Sequence, residues 1–155
     1  MKAKAITNFA QRFSVQITLN PDLMVEKNGR FYLVTSSLKP LLRGSYFVAG
    51  LYMGKAKEGK FFPSFNLLNM IAAEGGNRVV VDAKAAWLFI CGRDLFAKGI
   101  IKTYGSTQKG KAALVLNEAG ECLGFGMFVG GFGGAEGEVA VRNVVDVGDF
   151  LRREK

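Results

Sequence analysis

Apolar positions 6, 9, 10 and 13 recur at helical spacing and predict a short amphipathic helix over 6–13. The apolar runs 23–25 and 31–34 flank Lys27-Asn28-Gly29-Arg30. An Asn-Gly pair between such runs is the strongest short hairpin signal, because both residues tolerate positive φ. Ser36 and Ser37 can cap a short helix reaching Leu42, with Pro40 tolerated in its first turn. The largely unbroken apolar run 46–53 predicts a buried strand, and Phe61-Phe62 a further one. Ser64 caps a predicted helix over 66–73 that ends at Gly75-Gly76.

The pattern changes after those glycines, which makes them the predicted domain boundary. Residues 78–82 are strongly β-branched and predict a buried strand. Asp82 can cap a helix over 83–90, with Gly92 just past its end. Strands are predicted near 100–104, 111–116, 121–129 and 138–144, joined by turns at 105–110 and 117–120 and by a glycine-rich loop at 130–137. Residues 147–153 predict a final helical turn. Short strands at this spacing point to a small barrel or closed sheet. Two pieces stand out within it. The segment 91–99 reads as a helix end, a glycine, a short basic loop and a second glycine before a strand. Leu123-Gly124-Phe125-Gly126 is a strand with small residues where something else can approach the backbone.

Composition narrows the chemistry. The 155 residues include no histidine, which excludes Ser-His-Asp triads, Cys-His dyads and His-based metal sites. Cys91 and Cys122 lack the paired spacing of a zinc site and are expected to be small buried apolar residues. No metal or cofactor is expected. Twenty-one Lys and Arg against thirteen Asp and Glu leave a surplus of eight cations, and a polyanion is the natural partner. The surplus is uneven: residues 1–77 hold ten basic and four acidic residues, and 78–155 hold eleven and nine. No apolar run is long enough to span a bilayer, and no apolar segment follows the basic N-terminus as in a signal peptide. A cytoplasmic protein without a membrane partner is expected, nucleolar if the source were eukaryotic.

Several motifs fail on inspection. Gly105-Ser-Thr-Gln-Lys-Gly110-Lys111-Ala112 lacks the hydroxyl that a P-loop needs at its last position, and a β-like run follows it. The glycines from 124 onward miss the dinucleotide fingerprint, because position 129 is valine. The pairs Glu136/Glu138 and Asp146/Asp149 have no partner nucleophile. Trp87 and Phe89 are expected in the core. Arg93, Lys98 and Lys102 surround the 91–99 turn, and Arg152, Arg153 and Lys155 close the chain. Placed on one rim, these six would supply RNA phosphate contacts. Arg43, Lys55, Lys57 and Lys60 offer a second surface for RNA or protein.

The helix end Leu88-Phe89-Ile90-Cys91-Gly92, then Leu95-Phe96-Ala97-Lys98-Gly99-Ile100, Leu114 to Leu116 and Leu123-Gly124-Phe125-Gly126 resemble a PUA domain, the module named after pseudouridine synthases and archaeosine transglycosylases. In the first half, Phe31 to Leu38, Phe47-Val-Ala-Gly50, Gly54-Lys55, Lys60-Phe61 and Asn66-Leu67-Leu68 resemble the pre-PUA domain of a large-subunit ribosome biogenesis family, known in eukaryotes as nuclear import protein seven. The ending Asp146 to Arg152 fits as well, and the compact N-terminus resembles an archaeal-type homologue. The resemblance implies an α+β protein, with a small α/β pre-PUA domain over 1–76 and a PUA pseudo-barrel over 77–155. It also implies a non-enzymatic RNA-binding factor in pre-rRNA processing and large-subunit assembly, with basic residues at the C-terminal end as RNA contacts. Partners would be rRNA or pre-rRNA, including uridine-rich RNA, and ribosome assembly factors, with the protein itself a monomer. The rival expectations are an RNA-modification enzyme or its accessory subunit, and a protein-interaction adaptor. Against catalysis, Asp22, Glu26, Glu58 and Glu74 are the only acids before residue 78.

Overall fold

The computed structural model describes residues 2–132 and 137–153, which divide into two compact units. One contains the residues up to Gln11 together with Gln16–Glu74, and the other contains Arg12–Val15 and the chain from Gly75 onward. Among the described residues, no helix is long and apolar enough to cross a membrane.

In the first unit, α1 (Lys2–Gln11) buries Ile6, Phe9 and Ala10 along one stripe. Its sheet is antiparallel in the order β1 (Met24–Lys27), β2 (Arg30–Leu33), β3 (Leu51–Lys57), β4 (Lys60–Pro63). Asn28 and Gly29 join β1 to β2 at φ 52 and 74, as a two-residue hairpin turn requires. The Phe61 ring meets Phe9 at 5.4 Å and Phe31 at 6.1 Å. Ser64 caps α2 (Phe65–Ala73) by accepting from the Leu67 N–H at 3.1 Å, and its own hydroxyl donates to the Tyr52 carbonyl at 2.7 Å. The helix predicted through Leu42 shrinks to a single 3-10 turn, Lys39–Leu41.

Two first-unit expectations need correction. Residues 46–50 are not a buried strand: Phe47 is 94% exposed, Val48 is also exposed, and β3 begins only at Leu51. Gly50 interrupts the run at φ 67, in a turn so tight that a Cβ would strike the Leu33 carbonyl oxygen. The first helix also stops at Gln11, two residues before Phe13. Phe13 belongs to the second unit, where its ring stands edge-on to Phe125 at 5.5 Å.

The second unit runs β5 (Arg78–Val81), α3 (Ala83–Ile90), β6 (Leu95–Phe96), β7 (Ile100–Tyr104), β8 (Ala112–Leu116), β9 (Cys122–Phe128), β10 (Val139–Asp146) and α4 (Val147–Arg153). The six strands pair in the order β6-β10-β9-β8-β5-β7, with only β5 and β8 parallel. The near-P-loop segment leads into β8 and opens no helix. In a flat sheet the two edge strands would lie about 24 Å apart. Yet β6 and β7 are joined by the 3-10 turn Ala97–Gly99, which spans at most about 14 Å between strand ends. The sheet must therefore curl until its edges approach. Val79, Val81, Phe89, Leu95, Val115, Phe128 and Val141 fill the interior, and every residue of β8 is buried.

The cysteines also differ from expectation. Cys91 is exposed at the end of α3 and Cys122 is half-buried, its thiol pushed up to about 11 by burial. Because the thiolate is the reactive species, iodoacetamide at pH 8 is expected to label Cys91 in the native protein and Cys122 only after unfolding. Mass mapping of the labelled peptides checks this, and equal labelling of both would contradict it.

Candidate nucleic-acid interface

The 91–99 segment is built by local chemistry. Asp82 starts α3 by accepting from the Ala85 N–H at 2.7 Å. Gly92, at φ 88, ends it with two bonds of a Schellman motif: Gly92 N–H to the Phe89 carbonyl at 2.9 Å and Arg93 N–H to the Leu88 carbonyl at 3.0 Å. Asn143 holds the turn from below. Its amide N–H donates to Asp94 Oδ1 at 2.8 Å, and its side chain donates to the Phe89 and Arg93 carbonyls at 2.9 and 3.3 Å. Gly99 lets the return strand pack against α3, since a Cβ there would sit 2.6 Å from that of Ala85.

This folding leaves an open groove of about 260 Å³ beside α3, with Leu88 and Phe96 as apolar walls and Lys84 and Lys98 on its lining. Asp82 and Asp94 also line it, each already accepting a backbone N–H. Such a groove offers a base an apolar contact and offers the adjoining phosphates two ammonium groups. Lys84 carries no signal in a linear reading; the helix brings it beside Lys98.

The predicted cations separate on inspection. Arg93 and Lys98 are exposed at the turn, and Lys102 is exposed on β7 with its ammonium 4.8 Å from the Tyr104 ring. Arg78 packs on the same ring at 4.1 Å. Arg152 is engaged within the fold: it donates to both Asp146 carboxylate oxygens at 3.0 Å and to the Ile90 carbonyl at 2.8 Å. The Arg153 side chain, Lys155 and Glu136 lie outside the described residues. Gly124 and Gly126 are buried, and the group that approaches them is the backbone of β10. A Cβ at either would strike a β10 carbonyl oxygen, of Val145 or Arg142. They shape the sheet and offer no opening to a ligand.

In the first unit, strand register gathers cations that the sequence scatters. Lys27 pairs with Arg30, Arg30 with Lys55, and Lys57 with Lys60. Directly paired residues share a sheet face, as do positions two apart on one strand. Lys27, Arg30, Lys55, Lys57 and Lys60 therefore form one basic face, on which Phe62, the partner of Lys55, is exposed. Lys27 also lies 4.2 Å from the Tyr46 ring, and Lys57 sits 3.7 Å from Glu58. Arg43 is exposed in the stretch between β2 and β3. Among the described residues, no three His, Cys, Asp or Glu side chains gather as a metal site.

A family model described as the UPF0113 PUA domain matches residues 77–155. The chain belongs to that family. Its second unit is a PUA pseudo-barrel within an α+β protein, and a PUA domain points to RNA binding. A conserved PUA domain protein from Thermoplasma acidophilum is similar in structure, with 26% identity and a TM-score of 0.61 over 96% of this chain and 91% of that one. A PUA domain from Aeropyrum pernix K1, solved as a tartrate complex, aligns at 20% identity and TM-score 0.59, covering 93% of this chain and 82% of that one. A hypothetical protein from Pyrococcus horikoshii OT3 aligns at 17% identity and TM-score 0.55, covering 94% and 92%. These alignments run through both units. No curated protein matches the chain.

Proposed function

We propose that this PUA protein is a non-catalytic RNA-binding factor of pre-rRNA processing and large-subunit assembly. The observation that carries the RNA-binding part is the groove beside α3, apolar along Leu88 and Phe96 and lined by Lys84 and Lys98. Lys84 and Lys98 are balanced by Asp82 and Asp94 within the groove, so the net positive charge here comes from Arg93 and Lys102 nearby, and the basic face of β1 to β4 supplies a second stretch of surface suited to a polyanion. The likeness of the first half to the pre-PUA domain of a ribosome biogenesis family supports the cellular role. The absence of histidine from the sequence supports a role without acid–base chemistry.

Fluorescence anisotropy with a labelled uridine-rich oligonucleotide tests the binding. Each lost phosphate contact on a single strand lowers the slope of log K against log salt by about 0.7. Replacing Lys84 and Lys98 together by alanine is expected to flatten the slope by about 1.4 and to weaken binding about tenfold. A wild-type affinity that stays flat between about 50 and 200 mM salt would overturn the reading. Crosslinking in cells followed by sequencing of the attached RNA tests the role in assembly, which predicts large-subunit rRNA precursors. A change in rRNA nucleoside composition on loss of the protein would favour a modification enzyme or its accessory subunit instead.

A further inference from the structure

Helix α3 separates two grooves with different linings. Its Lys84 and Leu88 line the groove already described, whereas Ala86, Trp87 and Ile90 line a second one of about 370 Å³ with Leu123 and Glu118. Trp87 is 65% exposed, and among the described residues its indole has neither a hydrogen-bond acceptor nor a ring partner. Exposure on this scale is unusual for tryptophan, the residue most enriched at the energetic centres of protein interfaces.

The charge at this groove runs against that of the molecule. The chain carries a surplus of eight cations, yet no lysine or arginine lines the groove, and its one charged lining residue is Glu118. Glu118 sits on a turn fixed by its own bonds: Asn117 Nδ2 donates to Glu121 Oε2 at 2.6 Å and the Glu121 N–H donates to Asn117 Oδ1 at 2.9 Å. Glu118 itself is exposed and has no ion-pair partner among the described residues. A phosphate arriving here would meet a carboxylate with no cation to offset it.

We propose that this groove docks a short basic segment of a protein partner, with an aliphatic or aromatic side chain seated against Trp87 and a lysine or arginine facing Glu118. Charge complementarity selects this occupant over RNA and over acidic peptides. It also leaves the Lys84–Lys98 groove, on the other flank of α3, open to nucleic acid.

Trp87 is the only tryptophan of the chain, so its emission reports on this groove alone. The probes are a short capped peptide of alternating lysine and leucine, a matched glutamate–leucine peptide, and oligouridylate. The lysine–leucine peptide is expected to give a saturable blue shift below about 1 mM. Glu118→Lys is expected to weaken that binding about five- to tenfold without lowering oligouridylate affinity. Circular dichroism checks the fold of the variant, and Glu118→Gln, expected to give a smaller loss in the same direction, serves where the reversal disturbs it. The proposal falls if no saturable shift occurs, if the acidic peptide or oligouridylate shifts Trp87 as strongly, or if both Glu118 variants bind as the wild type does.

Discussion

Replacing Gly124 by alanine is expected to destabilise the second unit by about 3–5 kcal/mol, among the largest losses a single substitution produces. Two independent penalties meet at this position. Its φ of 146 is one that L side chains rarely adopt, and the new methyl would lie 2.8 and 2.9 Å from the Val145 carbonyl carbon and the Asp146 Cα, besides striking the Val145 oxygen. These neighbours are backbone, so no side-chain rotation relieves the clash; β10 would have to leave β9. Gly130 provides the control, because it belongs to the same unit and its φ is also strongly positive, at 116, while nothing lies within 4 Å of a Cβ built there. Gly130→Ala should therefore cost only the conformational penalty, about 1–3 kcal/mol. Urea denaturation of the two variants separates clash from conformation, and equal losses would show that the close approach of β10 contributes nothing.

Arg152→Ala is the second large effect, expected at about 2–3 kcal/mol. The side chain of Asp146 is 5% exposed and that of Arg152 is 46% exposed, so the carboxylate is buried while its partner still reaches water. Removing the arginine strands a buried charge, which costs several kcal/mol when burial is complete and less where solvent enters from one side. The Ile90 carbonyl, one of the unpaired acceptors at the end of α3, loses its donor as well. Asp146 also accepts from the Asp149 N–H at 2.9 Å, so the carboxylate both starts α4 and holds its last turn. Arg152→Lys is expected to recover only part of this, because an ammonium cannot reproduce the planar guanidinium that sets Nη2 on the Asp146 carboxylate and Nη1 on the Ile90 carbonyl at once. At this chain length such a loss lowers Tm by roughly 5–10 °C. Any weakening of RNA binding should then follow α4 undocking, and a stable Arg152→Ala protein would return this residue to the list of direct phosphate contacts.

What the sequence made legible was chemistry confined to a few neighbouring residues. Ser64 and Asp82 start the helices they were expected to start, and Asn28-Gly29 makes the expected turn, because each depends on atoms within three or four positions. Run 46–53 misled because apolar character cannot distinguish a strand from an exposed loop interrupted by a left-handed glycine. Leu-Gly-Phe-Gly correctly indicated a close approach, but the identity of the approaching chain depended on β9–β10 register. The same holds for the basic face: Lys27 and Arg30 join Lys55, Lys57 and Lys60 only through pairings across three turns of chain. Trp87 was misassigned to the core because the helix that carries it buries Ala85 and Phe89 instead.

The four residues Arg12–Val15 give the second unit an unusual order of assembly. They leave the ribosome before the rest of their unit, but Phe13 packs on Phe125, and the Phe13 carbonyl accepts the Asn77 N–H at 2.8 Å. Neither partner has been synthesised when Phe13 emerges. The segment must wait while the whole first unit is made, and it can pack on this sheet only once β9 is available. Long-range closure of this kind slows folding and keeps an apolar aromatic uncovered during translation. Thus the first unit can complete its own core during synthesis, while the last step of the second unit draws together segments that the whole first unit separates along the chain.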